Sequence, residues 1–280
     1  MNVSTQRAVL VTGCSSGIGY CVAKGLQARG YRVFATARRA EDIARLQTEG
    51  LETLYLELSD SASIHQAVET LLQKTGGQLY GLFNNAAYGQ PGAVEDLSRT
   101  ALEAQFASNL FGTHELTCLL LPVMRRQGEG RIIQNSSILG LIAMPMRGAY
   151  NASKFALEGL SDTLRLELQG TNIFISLIEP GPIRSRFRLN ALAMYKKYID
   201  PSHSPHQAHY QQAEARLQKQ GDGAPFTLPP DAVLTRVIHA LEAKRPKIRY
   251  YVTFPTYLLT TLKWLLPHRI MDWLIRQLPT

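Results

Sequence analysis

Short apolar runs and longer amphipathic stretches alternate along the first 180 or so residues of the chain. The short runs are β-branched or aliphatic: Ala8–Thr12, Val33–Thr36, Thr53–Glu57, Leu79–Asn84, Ile132–Asn135 and Ile173–Ile178. They predict strands. Between them Gly19–Arg29, Ala62–Lys74 and Tyr150–Leu168 place apolar residues at helical spacing. Strands that alternate with helices predict βαβ units, and therefore a parallel sheet covered by helices on both faces. Right-handed crossovers make this a doubly wound α/β sheet.

The pattern changes after Pro180. From Leu189 to Pro230 the chain is polar and rich in Gln, His and Pro, with helices expected near Leu192–Tyr198 and His209–Gln218. A long excursion of this kind inside a compact domain reads as a functional lid or a mobile loop, so 189–230 is expected to be a substrate lid. Alternation resumes with Pro230–Lys244 as helix and Ile248–Val252 as strand. Thr256 to Gln277 reads as two helices broken at Pro267, making 256–280 a helical C-terminal tail. No repeat or low-complexity linker divides the chain, so 1–280 is expected to be a single domain.

Composition narrows the function. The three cysteines, Cys14, Cys21 and Cys118, are odd in number and show no C-x-x-C spacing. That argues against a disulfide framework or a zinc site and for a reducing, cytoplasmic setting. The polar Met1–Arg7 segment is not a secretory signal, and no run of about 18 apolar residues predicts a membrane span. A net charge of +8 is dispersed and comes with no nucleic-acid motif. It is read as a solvated basic surface that attracts an anionic cofactor, with no nucleic-acid partner. His203, His206 and His209 recur every third residue, but in a Pro/Ser/Gln-rich stretch without cysteine or carboxylate at ligand spacing, so no metal is expected. Arg184, Arg186 and Arg188 admit two readings, contact with an acidic substrate or the cofactor diphosphate, or a strand-like solvent face. The second is favoured.

Candidate chemistry begins directly after the first run, where Thr12-Gly13-Cys14-Ser15-Ser16-Gly17-Ile18-Gly19 opens a helix. Glycines let the backbone approach a pyrophosphate closely, and the helix N-terminus supplies N–H donors and a favourable dipole. The second run ends in Ala37-Arg38-Arg39. An acid at Ala37 would suit NAD; guanidinium groups there suit the 2′-phosphate of NADP. Arg39 alone would pass for a solvated turn residue. Tyr150 and Lys154 stand at i and i+4 on one helix face. A phenol with a pKa of about 10 needs a neighbouring cation before it can act as an acid–base catalyst near neutral pH.

The glycine turn, Asn84-Asn85-Ala86, Asn109, Ser136-Ser137, Tyr150/Lys154 and Pro180-Gly181 occur in the order and spacing of the short-chain dehydrogenase/reductase family. The chain resembles that family from about Ala8 to Ser185, more weakly near Arg249–Val252. The resemblance implies a Rossmann-like fold and NADP(H). It makes Tyr150 the proton donor in carbonyl reduction, and Ser137 the group that hydrogen-bonds the substrate oxygen. It also assigns the nicotinamide ribose to Lys154 and a water linking Lys154 to solvent to Asn109. Glu57 and Leu58 fall where an aspartate usually meets adenine. Pro180, Gly181, Ile183 and Ser185 match the segment that holds the nicotinamide amide. Ala87 replaces the last glycine of the family's Asn-Asn-Ala-Gly motif, which suggests a slightly altered backbone.

The wording around Val11–Gly19 and Ile178–Arg184 is similar to bacterial NADP-dependent aldehyde reductases related to retinol and 17β-hydroxysteroid dehydrogenases. This implies reduction of a hydrophobic aldehyde or ketone. The alternatives are oxidation of a hydrophobic secondary alcohol, steroid or retinoid, and a non-catalytic NADP(H) sensor. An apolar pocket is expected between Leu139–Pro145, the excursion and the tail. The tail's Tyr257, Leu258, Leu262, Trp264, Leu265, Leu266, Trp273 and Leu274 are expected to pack on the core or a neighbouring subunit. Peripheral membrane contact, aided by Lys263, Arg269 and Arg276, is the rival. A homodimer or homotetramer stays open.

Overall fold

The computed structural model describes residues 6–219, 221–222 and 224–278. Seven strands form one parallel sheet: β1 (Ala8–Val11), β2 (Arg32–Ala37), β3 (Glu52–Tyr55), β4 (Gly81–Asn84), β5 (Gly130–Asn135), β6 (Ile173–Glu179) and β7 (Arg249–Tyr251). Their order is β3-β2-β1-β4-β5-β6-β7, with every neighbouring pair parallel. The chain starts at β1, winds outward to β3, returns to β4 and winds to the other edge. The direction of winding therefore reverses between β1 and β4, where ligand crevices form in such sheets.

Side-chain alternation along the strands builds two cores. Val9, Val11, Val33, Ala35 and Ile178 face one helical layer, made by α1 (Gly17–Ala28), α2 (Ala40–Thr48) and α9 (Asp231–Glu242), through Val22, Leu26, Leu46, Val233 and Val237. Leu10, Phe34, Leu82, Ile132 and Ile175 face the other. There they meet Ile64, Leu71, Leu116 and Leu120 of α3 (Ser61–Thr75) and α5 (Gly112–Gln127). Both faces are covered, as the doubly wound expectation requires, and the chain is one domain.

A long helix carries α4 (Arg99–Phe106), a π-helical turn (Ala107–Phe111) and α5 without interruption. Gly112, just past the π turn, packs so closely on the end of the β3 region that a Cβ would lie 1.8 Å from the Leu58 carbonyl oxygen. α6 (Gly148–Glu167) carries Tyr150 and Lys154.

The excursion is helical, with α7 (Phe187–Tyr198) starting earlier than expected and α8 (Gln207–Gln218) lying near its expected place. Its described residues are held in place at Tyr210. Tyr210 is buried, its hydroxyl donating to Asp96 Oδ2 at 2.6 Å and accepting from the Ala93 N–H at 2.9 Å. The tail forms α10 (Phe254–Leu265) and α11 (His268–Arg276), separated at Pro267 as expected. Leu259, Met271 and Ile275 pack on Ile138, Leu139 and Ile142, whereas Tyr257, Leu258, Trp264, Leu265 and Trp273 are exposed. Core packing thus accounts for one face of the tail only. No helix among the described residues is long and apolar enough to cross a membrane.

Candidate active site

Thr12 organises the turn after β1. Its hydroxyl accepts from the backbone N–H groups of Asn85 at 2.8 Å and Ala86 at 2.9 Å. Asn85 Nδ2 donates to the Thr12 carbonyl at 2.8 Å, and Asn135 Nδ2 donates to Asn85 Oδ1 at 2.9 Å. The ends of β1, β4 and β5 are thereby fastened together. A Cβ at Gly19 would lie 2.2 Å from the Gly13 carbonyl oxygen, so no larger residue fits there. Gly17 has a φ of +60°, and a Cβ on it would meet Ser185 at 2.9 Å. The glycine turn, Asn85, Ala86 and Ser185 are one cluster. Ala87 keeps a negative φ, so the family's last glycine is not needed here.

Ser16 is the N-cap of α1 but spends no side-chain bond on capping, and the first turn holds no acid. Free N–H donors at the positive end of a helix, with no competing carboxylate, fit a diphosphate. Arg38 is largely exposed at the end of β2, with Nη1 3.2 Å from Glu57 Oε2. Glu57 Oε1 also accepts from the Ser59 N–H at 3.2 Å and its hydroxyl at 3.0 Å. Glu57 thus holds Arg38 and its own turn at the end of β3. The Leu58 side chain is buried in the core, which leaves only its backbone to border a ligand. Arg39 pairs with Glu41 at 3.3 Å on the surface.

The catalytic candidates converge beyond β5. Lys154 is buried, and its Nζ donates to the Asn135 carbonyl at 2.7 Å and sits 5.8 Å from the Tyr150 ring centroid. Ser137 caps a short 3-10 turn, its Oγ accepting from the Leu139 N–H at 3.1 Å. Burial pushes the Tyr150 phenol up to about 12; Ser137 and Arg147 act the other way. Burial also pulls Lys154 down to about 8 against the attraction of Glu158. At Tyr150 desolvation therefore outweighs Ser137 and Arg147, and the phenol holds its proton at neutral pH. Asn109 lies in the π turn, where its Oδ1 accepts from the Tyr88 N–H at 3.1 Å and its Nδ2 donates to the Tyr88 carbonyl at 2.8 Å. Its side chain is committed to clamping this loop. The Ile138 N–H donates to the Pro180 carbonyl at 2.9 Å, tying the Ser137 turn to the segment after β6. Gly181 accommodates Thr253, whose Oγ1 would lie 2.1 Å from a Cβ there.

Behind these residues lies a charged cluster that the sequence reading missed. Arg249 on β7 reaches Glu179 Oε1 through Nε at 3.2 Å, and Glu158 Oε2 and Asp162 Oδ2 through Nη2 at 3.0 and 2.7 Å. Glu179 is fully buried, and desolvation with repulsion from Glu158 pushes it up to about 9 despite Arg249. Glu158 stands four residues after Lys154, one helical turn along α6, and that spacing was the available signal.

A cleft of about 180 Å³ opens beside Tyr150. Pro91, Leu139, Met146, Phe187, Ala191 and Leu217 supply apolar wall, and the Phe187 ring meets Tyr150 edge-on with centroids 5.4 Å apart. Arg147, Arg188 and Arg216 line the same cleft. Two expectations need correction. The tail packs behind Leu139 and does not line the cleft. Arg188 does not point to solvent, because residues from Phe187 onward are helical and strand alternation does not apply. Arg184 does lie on the surface, paired with Asp222 at 2.9 Å. His206 Nε2 faces Glu95 Oε1 at 2.5 Å, and among the described residues no three metal-binding side chains converge.

A doubly wound sheet with a glycine turn at its switch point and a tyrosine–lysine pair beside a cleft defines a dinucleotide-dependent oxidoreductase. The short chain dehydrogenase family matches residues 7–196. The chain belongs to that family, whose members act on CH–OH or carbonyl groups with a nicotinamide dinucleotide. It is 43% identical over 267 residues to the uncharacterized oxidoreductase YbbO of Escherichia coli K12, covering 95% of this chain and 93% of the relative. It is 34% identical to human retinol dehydrogenase 8, covering 93% and 86%. With the NADPH-dependent 3-dehydrocapnine reductase of Ornithobacterium rhinotracheale it shares 32% identity, covering 95% of each.

Proposed function

We propose that the protein reduces a hydrophobic aldehyde or ketone to the alcohol with NADPH, Tyr150 giving the proton. One observation carries this reading: a half-buried phenol held protonated, beside Ser137 and near a buried lysine, in the wall of a largely apolar cleft. A sensor of the cofactor would have no use for that proton donor.

Gly13, Ser15, Ser16, Gly17, Ile18 and Gly19 would hold the diphosphate, Arg38 the 2′-phosphate, and Asn85 and Ala86 the middle of the cofactor. Arg39, Glu57 and Leu58 would border the adenosine end. Lys154 would bind the nicotinamide ribose, and Pro180, Gly181, Ile183 and Ser185 the nicotinamide end. NADP over NAD is supported by Arg38, by the apolar Ala37 where an acid would stand, and by the NADPH dependence named for the 3-dehydrocapnine reductase. The bound cofactor supplies the hydride that reaches the carbonyl carbon.

Ser137 orients the carbonyl oxygen and stabilises the charge that develops on it. Tyr150 transfers its proton to that oxygen, completing the alcohol, and the Lys154 ammonium stabilises the phenolate left behind. Asn109 would hold the water that links Lys154 to solvent, and its side chain also fixes the loop at Tyr88.

Helices α7 and α8 act as the substrate lid. The exposed outer face of the tail, Trp264, Leu265, Ile270 and Trp273 beside Lys263, Arg269 and Arg276, suits peripheral contact with an anionic bilayer. A lipophilic substrate would arrive from there. Free thiols and NADPH suit the cytoplasm. The test is loss of NADPH absorbance with a panel of aliphatic, aromatic, retinoid and steroid carbonyls. Turnover should need NADPH and vanish in Tyr150→Phe; a variant that still turns over defeats the assignment of the proton donor.

A further inference from the structure

We infer that the substrate carries an acidic head group, a carboxylate or similar oxyanion, which docks between Arg147 and Arg216 beside the carbonyl that Tyr150 protonates. The inference rests on the reductase reading above and narrows its substrate to an amphipathic oxo acid.

Arg147 and Arg216 come from different elements, the N-cap of α6 and the last turn of α8, and meet in the wall of one cleft. Among the described residues neither has a carboxylate within ion-pair distance, unlike the nearby Arg184 with Asp222. The hydrogen-bond partner of the Arg147 guanidinium is Met144 Sδ at 3.4 Å, a weak acceptor. Arg188 cannot neutralise the pair, being a third cation. Its donors go to the carbonyls of Arg216, Lys219 and Gly221, which fastens the end of α8 and so the base of Arg216.

The arrangement is unfavourable for the protein alone in three ways. A cation stands at a helix N-terminus, where the dipole repels it. Two like charges share a partly desolvated space; burial and the repulsion of Arg216 pull Arg147 down to about 10. Burial likewise lowers Arg216, with Arg188 adding to it. An oxyanion between the two guanidinium groups reverses each of these, through charge-assisted hydrogen bonds in a planar fork that carboxylates match. Arg147 is three residues before Tyr150, so the head group lies close to the reacting carbonyl. Pro91, Leu139, Phe187 and Leu217 leave the remaining wall apolar for a hydrocarbon chain.

The test pairs 2-oxo-, 4-oxo- and 10-oxodecanoate with their methyl esters in the NADPH assay. It also measures binding of decanoate, decyl sulfate and 1-decanol to the NADP-loaded protein by calorimetry. For at least one oxo acid, kcat/KM should exceed that of its ester by about tenfold or more, and Arg147→Met or Arg216→Gln should bring that ratio toward one. Decanoate or decyl sulfate should bind about tenfold tighter than 1-decanol, with the stronger of the two naming the oxyanion. Equal handling of acids and esters, or equal binding of anions and alcohol, overturns the inference and leaves carbonyl reduction standing. Tight, Arg147-dependent anion binding without turnover of any carbonyl upholds the anion site and defeats the reductase reading.

Discussion

Replacing Arg249 by methionine removes the one side chain that holds Glu158, Asp162 and Glu179 together. Two of the three acids are buried, with side-chain exposures of 8% for Glu158 and 0% for Glu179, and Arg249 itself is 29% exposed. Glu179, raised to about 9, already holds its proton at neutral pH, so the charge left without its partner is that of Glu158; removing one partner of a buried pair costs about 3–5 kcal/mol. At about 2 °C per kcal/mol for a chain of this size, the melting temperature at neutral pH should fall by roughly 6–10 °C. The loss has a definite pH sign. Glu179 already sits far above its unfolded value, at about 9. It therefore keeps its proton in both proteins between about pH 5 and 7 and leaves the gap unchanged, whereas Glu158, which Arg249 pulls down, is raised further once the cation is gone. A carboxyl with a raised folded pKa contributes stability that is present below its unfolded value and lost as pH rises through the folded one. The gap between variant and wild type should therefore narrow on going from about pH 7 to about pH 5. Thermal melts at both pH values decide the matter. A melting temperature within roughly 2 °C of wild type, or a gap that does not change with pH, would refute the account of this cluster.

Arg38→Ala should weaken NADPH binding about tenfold to a hundredfold and leave NADH nearly unaffected, as measured by cofactor fluorescence; an equal loss for both would remove Arg38 from 2′-phosphate recognition. Carbonyl reduction should decline as pH rises through about 8, where Lys154 loses its charge, while Tyr150 keeps its proton until about 12. A kcat/KM profile that stays flat to about pH 10 would contradict that. Glu158→Gln should move the decline to lower pH, since Glu158 is what supports the lysine's charge. The full chain should sediment with anionic vesicles, and the double variant Trp264→Glu/Trp273→Glu should not. These outward residues are a better probe than truncation before Thr256, which would also strip Leu259, Met271 and Ile275 from the core. Self-association lost in the same variant, without any vesicle binding by wild type, would assign the face to a second copy instead.

The sheet was legible because each strand is a compact apolar run closed by Gly, Asn or a charged residue, so most boundaries needed little adjustment. The glycine turn and Tyr150/Lys154 were legible because their chemistry is local: a few adjacent residues, or one helical turn. What escaped depends on distant residues meeting. The α2 helix is short and charged, and the α4–α5 helix contains Pro122 and a π turn that disturbs its period, so neither stood out. Arg147 and Arg216 become neighbours only once the last turn of α8 and the start of α6 meet at the cleft. Arg188 was misread because a two-residue alternation was extended into what is helix. The tail posed a choice between packing and exposure that was not a real choice, since an amphipathic helix has one face for each.

The order of the strands has a consequence for which ligands can bridge the site. Arg38 follows β2, and Asn135, the acceptor for Lys154, ends β5. In the sequence β2-β1-β4-β5 these ends are three strand spacings apart, roughly 14 Å at about 4.8 Å each. Hydrogen-bonded ladders do not stretch, so the sheet acts as a ruler with its divisions cut in backbone. Substitutions at either end can alter which chemical group is gripped there. The span between the grips is counted in strands, and no single side chain can reset it.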